Sequence, residues 1–328
     1  MDRIKILDCT LRDGGYINNW DFGASNISRI ISGLLSANID YVECGFLSDA
    51  IDYNKNKTLF NSIEQINNLT KNKKNICFMI NYGDFDINNL TRQNENLLTL
   101  RLAFKKHQIN EAFDFCKKAQ EKNYKISLNP MHTTLYEEDE LLTLIDMTNE
   151  LELESITVVD TMGIMTKNDT IEYFNKLDKK IKNSISLGFH THNNLNLSKE
   201  NIVEIINLKL NRNIIIDSCI SGMSRGAGTI PTQDLAKLLN TSNNKYNVQT
   251  LEKIGQTYIN PIKNENSWGY QLPFLLSAKN LCHPNYANYL IKSNISEDLM
   301  EEIFHTIPDK NKQIYSEEII KEILVNKL

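Results

Sequence analysis

Two short fragments carry residue types that can do chemistry together. Leu11-Arg12-Asp13-Gly14 follows the first strand-like run, and His190-Thr191-His192-Asn193 ends a late one. In an extended chain, residues two apart face the same side. Extended backbone over 186–192 therefore points the His190 and His192 imidazoles one way, where both can reach one metal ion. Asp13 supplies a carboxylate, and Arg12 a fixed positive charge beside it. Two His and one carboxylate with open positions suit a divalent cation that polarises an oxygen-bearing substrate. Arg12 would then hold negative charge developing on an enolate oxygen, where a fixed charge is worth more than in water. The pattern reads as a metal-dependent enzyme acting on a carbonyl compound.

Other polar residues end strand-like runs. Glu43, in Val42-Glu43-Cys44-Gly45-Phe46, could orient Arg12 or take part in proton transfer. Asp160 and Thr161 end the sixth run with a carboxylate and a hydroxyl that could face a substrate. Tyr16 follows Asp13 closely enough to reach the same place. Gly222-Met223-Ser224-Arg225-Gly226-Ala227-Gly228-Thr229 follows the eighth run. Its three glycines let the backbone approach a ligand closely.

These residues need elements that bring their strand ends to one place. Eight apolar, strand-length runs recur at 4–7, 41–44, 76–80, 98–102, 125–128, 155–159, 186–189 and 214–216. Helical spacing follows over 26–37, 112–122, 138–150, 169–181 and 201–210, and the third unit, 84–95, is the weakest helix. Strand then helix, eight times within residues 1–240, is the layout of an α/β (β/α)8 TIM barrel. An open doubly wound sheet shares the alternation. Count and length favour the barrel, in which all the polar strand ends share one face. Residues 241–245 form a polar linker, and 246–328 a helical C-terminal region with runs at 247–258, 275–281, 296–307 and 316–327.

Composition excludes other classes. The 328 residues carry 41% hydrophobic and 23% charged side chains, and a net charge of −5 argues against nucleic acid or anionic lipid as partner. The N-terminus enters a strand at once without a signal-peptide pattern, and no apolar run approaches membrane-span length. The six cysteines are scattered singly, which predicts buried free thiols in a reducing, cytoplasmic setting.

Together, Leu7-Asp8-Cys9-Thr10-Leu11-Arg12-Asp13-Gly14, Val42-Glu43-Cys44-Gly45-Phe46, Asp160-Thr161-Met162-Gly163, Gly188-Phe189-His190-Thr191-His192-Asn193 and the Gly-rich loop resemble the DRE-TIM metallolyases, the HMGL-like superfamily. That superfamily includes 4-hydroxy-2-oxovalerate aldolase, HMG-CoA lyase, and the isopropylmalate, citramalate and homocitrate synthases. The chain resembles the aldolase branch most. There, Trp268-Gly269-Tyr270 is similar to a Leu-Gly-Tyr stretch whose Tyr reaches the active site. The resemblance implies Mn2+ or Mg2+ held by Asp13, His190 and His192. It also implies pyruvate or another 2-oxo acid as substrate, its enolate stabilised by Arg12, and an aldehyde as the second reactant. For partners it implies a homo-oligomer or an aldehyde dehydrogenase docked through the C-terminal helices.

Two positions depart from the family pattern. Tyr16 stands where the aldolases have a His base and the acyl-CoA branches a Gln. Thr229 stands where the family usually has Asn, a metal ligand in some branches. Both point to a divergent aldolase with an unusual acceptor, such as a sugar-derived aldehyde. Two other readings stay open: a Claisen-type acyl-CoA lyase or synthase, and a partner-dependent barrel subunit without catalysis of its own.

Overall fold

The computed structural model describes residues 3–70, 73–93 and 98–327. Its frame is a closed barrel of eight parallel strands: β1 Ile4–Asp8, β2 Tyr41–Leu47, β3 Ile76–Asn81, β4 Leu98–Phe104, β5 Lys125–Pro130, β6 Ser155–Asp160, β7 Ser186–Thr191 and β8 Ile214–Ser218. Each strand pairs with the next, and β1 closes the ring by pairing both β8, from Ile4↔Ile214 to Asp8↔Ser218, and β2, at Leu7↔Tyr41. A two-residue strand, Leu59–Phe60, lies outside the ring on β2.

Each strand is buried on both faces, which is why its sequence is a near-continuous apolar run rather than an alternating one. The outward residues of β4, Leu100, Leu102 and Phe104, enter the main core between strands and helices. The inward residues alternate with them. Leu7, Cys77 and Ile215 fill the lower interior, and Phe46, Met79 and Ala103 the upper. Between these apolar layers the barrel holds Glu43, Arg101 and Asp217, all at most 2% exposed.

The outer ring is α1 Ala24–Ser36, α2 Ile63–Thr70, α3 Ile109–Glu121, α4 Glu138–Glu150, α5 Lys167–Lys180, α6 Ser198–Asn207 and α7 Thr232–Asn243. Each turns an apolar stripe inward, as α1 does with Ile27, Ile30, Ile31 and Leu34. Phe174 of α5 meets Phe189 of β7 edge-on at 5.8 Å, and burying each ring contributes roughly 1.5–3 kcal/mol. Thr166 and Asp169 form a reciprocal capping box that starts α5. In the third unit, residues 84–93 form a single 3-10 turn, Ile87–Asn89, instead of the expected helix; Phe85, Ile87 and Leu90 are its buried apolar residues, too few and too close together for a helical stripe. Residues 94 and 95 of that expectation lie outside the described residues.

The expected polar linker is partly helical. Helix α7 continues through Asn243 and stops where Asn244 takes up a left-handed conformation, φ 47°. Beyond it run α8 Val248–Ile254, α9 Asn260–Glu265, α10 Leu272–Lys279, α11 Pro284–Lys292, α12 Glu297–Thr306 and α13 Glu317–Lys327. This region has its own core of Phe274, Tyr286, Leu290, Met300, Ile303 and Phe304, and the Gly-rich loop contributes Ala227 to it. Trp268 ties the region to the barrel by donating from Nε1 to the Ser221 carbonyl at 3.0 Å. All six cysteines are free and buried. Among the described residues, no helix is long and apolar enough to cross a membrane.

Candidate active site

At the C-terminal face of the barrel the backbone turns sharply after β1. Asp8 starts the turn by accepting from the Thr10 amide at 3.0 Å and from the Thr232 hydroxyl at 2.6 Å. A short helical turn, Thr10–Asp13, then carries Arg12 and Asp13 inward, where they are 5% and 0% exposed. Trp20 locks the turn from behind, donating from Nε1 to the Arg12 carbonyl at 2.8 Å. Gly15 is obligatory beside it, since a Cβ there would lie 1.9 Å from the Trp20 ring.

Across the mouth, β7 delivers His190, and His192 continues the parallel pairing through its amide to the Asp160 carbonyl at 3.3 Å. The two imidazoles stand 5.2 Å apart, centroid to centroid, at 89°. One donor atom each from Asp13, His190 and His192 lie within 4.8 Å of one another, all buried. His190 Nδ1 is 2.9 Å from Asp217 Oδ2. A carboxylate only accepts, so Nδ1 carries a proton, and Nε2, 3.8 Å from Asp13 Oδ2, is the nitrogen that would hold either a second proton or a cation. Ser224, from the Gly-rich loop, bridges the other two: its hydroxyl donates to Asp13 Oδ2 and lies 3.3 Å from His192 Nδ1.

Around these residues runs a closed ring of buried charges. Arg12 Nη1 donates to Asp13 Oδ1 and Arg12 Nε to Glu43 Oε2, each at 2.7 Å. Arg101 Nη1 donates to Glu43 Oε1 at 3.0 Å and its Nη2 to Asp217 Oδ2 at 2.6 Å. Asp217 then meets His190, which faces Asp13 again. Three carboxylates stand against two guanidiniums, so with neutral imidazoles the ring holds one excess negative charge. Burial alone would push Asp13 up, but Arg12, His192, His190 and Arg225 hold it far below the usual carboxylate range. Burial pulls His190 down, yet Asp217, Cys9 and Asp13 carry it up to about 9. Burial pushes His192 down to about 3. The cluster therefore attracts one positive charge. A carboxylate and two imidazoles, one with its tautomer fixed from behind, are a donor set that fits a divalent cation.

Above the cluster is a cavity of about 50 Å3. Arg12, His190 and His192 form its floor, and Phe46, Met79, Met131 and Val159 its apolar wall. Asn81, Asn129 and Thr161 supply polar groups, with Tyr16 and Arg225 at the rim. Asn129 Oδ1 is buried there without a protein partner, as an atom reserved for a ligand would be.

The structure thus brings Arg12, Tyr16, Thr161, His190 and His192 to one cavity, with Asp13 fully buried behind Arg12 and the two histidines. Glu43 lies beneath it with both oxygens taken by arginines. Asp160 faces its own loop, accepting from the Ile164 amide at 3.0 Å and the Met165 amide at 3.1 Å. Burial pushes its carboxyl up to about 6. Thr229 donates to the Thr191 carbonyl at 2.7 Å. Tyr270 is 59% exposed and does not line the cavity. Sequence reasoning gave no role to Arg101, Asn129 or Asp217, and named Ser224 and Arg225 only as part of the Gly-rich loop. The readable sign was a charge inside an apolar strand, as with Arg101 in Leu98–Phe104.

Known proteins resemble this chain in sequence and in fold. The chain is 25% identical over 238 residues to an oxaloacetate decarboxylase of Mycobacterium tuberculosis, covering 71% of this chain and 69% of that one. It is 24% identical over 241 residues to a 4-hydroxy-2-oxovalerate aldolase of Geobacillus genomosp. 3, covering 72% and 70%. A crystal structure of the N-terminal domain of a candidate aldolase from Bacteroides vulgatus superposes with a TM-score of 0.68 at 25% identity, over 99% of this chain and all of that one. Residues 3–257 match the HMGL-like family model, and the chain belongs to that family.

Proposed function

We propose that this chain is a divalent-metal-dependent aldolase that cleaves a 4-hydroxy-2-oxo acid into a small 2-oxo acid, such as pyruvate, and an aldehyde, or joins the two. The observation that carries the reading is the buried Asp13, His190 and His192 cluster with Arg12 beside it, at the floor of a small, mostly apolar cavity. Likeness to an oxaloacetate decarboxylase and to 4-hydroxy-2-oxovalerate aldolases supports it, since both names specify a 2-oxo acid. The volume agrees: one water needs about 10–15 Å3, so the cavity takes a few waters or one three-carbon acid.

A cation held by Asp13, His190 and His192, Mn2+ or Mg2+ by family resemblance, would act as a Lewis acid on the keto oxygen. The chain's own residues do the rest. Glu43 and Asp13 occupy Nε and Nη1 of Arg12, which leaves Nη2 for negative charge developing on the 2-oxo acid. That charge meets a donor already fixed in place, so little reorganisation is needed as the bond breaks. Glu43 is a positioning residue here, because both its oxygens are committed. Asn129 and the Thr161 side chain orient the substrate. Tyr16, at the rim, relays the proton: it gives up its phenolic proton and takes that of the C4 hydroxyl as the C3–C4 bond breaks and the aldehyde leaves, and a proton returns to C3 to complete the methyl group of the 2-oxo acid. Residues 1–240 form the catalytic unit on this reading, and 246–328 cover one side of its mouth.

The test is release of pyruvate from 4-hydroxy-2-oxo acids of different chain length, followed with lactate dehydrogenase. The reading expects turnover that stops with chelator and returns with Mn2+ or Mg2+. Turnover of an acyl-CoA substrate instead would place the chain with the Claisen enzymes.

A further inference from the structure

Beside the small cavity lies a second, of about 440 Å3, between the barrel mouth and the helical C-terminal region. Tyr16 and Arg225 line both cavities. The Arg225 guanidinium lies over the Tyr16 ring, 4.3 Å from its centroid. This stacked pair is the partition between the two spaces. The opposite wall is α11 and the segment before α13, presenting Asn285, Asn288, Tyr289 and Tyr315.

Helix α11 is built for that wall. Asn285, Asn288, Tyr289 and Lys292 recur at i, i+3, i+4 and i+7, so they share one face. Tyr286, Ala287 and Leu290 occupy the other and fill the C-terminal core. Asn285 and Asn288 bring side-chain amides to this space, and Tyr289 and Tyr315 bring phenols. Arg225 Nε is buried without a partner. The wall therefore offers groups that both donate and accept, next to aromatic faces.

We infer that this second cavity is the acceptor subsite and that the acceptor is a polyhydroxylated aldehyde. The inference rests on the aldolase reading above. Amides and phenols pair with hydroxyls, which also donate and accept, and the tyrosine rings cover the carbon chain. An aliphatic aldehyde in the same place would leave those groups desolvated and unpaired. The aldehyde carbon sits at the neck beside Tyr16 and Arg225, with its hydroxylated tail along α11. In the joining direction the methyl carbon of the 2-oxo acid gives up a proton and bonds to the aldehyde carbon. The aldehyde oxygen takes up a proton and becomes the C4 hydroxyl, so no further reactant is needed.

The test compares aldol addition of pyruvate, with Mn2+ and the full chain, to glyceraldehyde and erythrose against propanal and butanal, their unhydroxylated counterparts. The expected result is a kcat/KM preference for the hydroxylated aldehydes of about tenfold or more. Asn288→Leu and, separately, Tyr315→Phe shrink that ratio, with unfolding midpoints checking that each variant folds. Equal use of both classes, or a ratio that neither variant moves, overturns the inference. Deuterium exchange into the pyruvate methyl group by the unaltered protein separates the two levels. Exchange without preference removes the acceptor subsite alone, whereas absence of exchange removes the aldolase reading and the subsite with it.

Discussion

Asp217 accepts the Nδ1 proton of His190 at 2.9 Å, and this contact decides which nitrogen of His190 faces Asp13. The same carboxylate oxygen is held by Arg101 at 2.6 Å, so the histidine is oriented by a residue that is itself pinned. Asp217→Asn keeps the shape but removes the charge. It should weaken Mn2+ binding by about 10–100-fold. Isothermal titration calorimetry reads this directly, and unchanged affinity would take Asp217 out of the site.

Arg101 is 2% exposed and links Glu43 to Asp217. Arg101→Met fills a similar volume but leaves two carboxylates in the barrel interior with one guanidinium fewer. The expected loss is about 3–5 kcal/mol of stability, the cost of breaking a buried pair from one side. Denaturant unfolding measures it, and a loss under about 1 kcal/mol would mean that water reaches this layer.

Arg12 uses its fork to span Asp13 and Glu43 while keeping one nitrogen for substrate. Lysine retains the charge but not the fork. Arg12→Lys should lower kcat by about 10²–10³, the scale for removing one preorganised donor, while cation binding persists. Steady-state kinetics beside calorimetry checks both halves. Near-normal kcat would remove Arg12 from charge stabilisation.

Tyr16→Phe should slow cleavage of the 4-hydroxy-2-oxo acid by about 10²–10⁴, the usual contribution of general acid–base catalysis. Its ring contacts with Trp20 at 4.8 Å and Phe46 at 6.2 Å need no hydroxyl, so the rim should stay intact. Full activity would place the proton-transferring group elsewhere.

Burial pushes the Asp8 carboxyl up to about 6, despite bonds from Thr10 and Thr232. A carboxyl whose pKa is raised on folding binds its proton more tightly in the native state. Its contribution therefore favours the fold below about pH 4 and is lost as pH rises towards 6. Over that window Asp8 costs up to about 3 kcal/mol at 1.36 kcal/mol per pKa unit. Asp8→Asn removes the titration, so its stability relative to the unaltered protein should rise between pH 4 and 6 and level off above. Chemical unfolding at several pH values checks this, and a pH-independent difference would contradict it.

The barrel was readable because each strand is apolar on both faces. What the pattern hid was each strand's C-terminal end: β3 runs to Asn81 rather than 80, and β7 to Thr191 rather than 189. Polar residues of the mouth interrupt the apolar run there. The floor of the site was legible in Arg12-Asp13 and the His-x-His spacing, which are local. The charge ring was not, because Arg101 meets Glu43 and Asp217 across 58 and 116 residues of sequence. Helix α11 was missed because its apolar stripe, Tyr286, Ala287 and Leu290, spans little more than one turn, although Pro284 at its first turn is a readable start.

Deuterium exchange into the methyl group of pyruvate, followed by NMR with Mn2+ or Mg2+, tests the central claim most directly, since it needs no knowledge of the aldehyde. The account predicts exchange that depends on the cation and is lost in Asp13→Asn. Cation bound at Asp13, His190 and His192 with no exchange of pyruvate would contradict it.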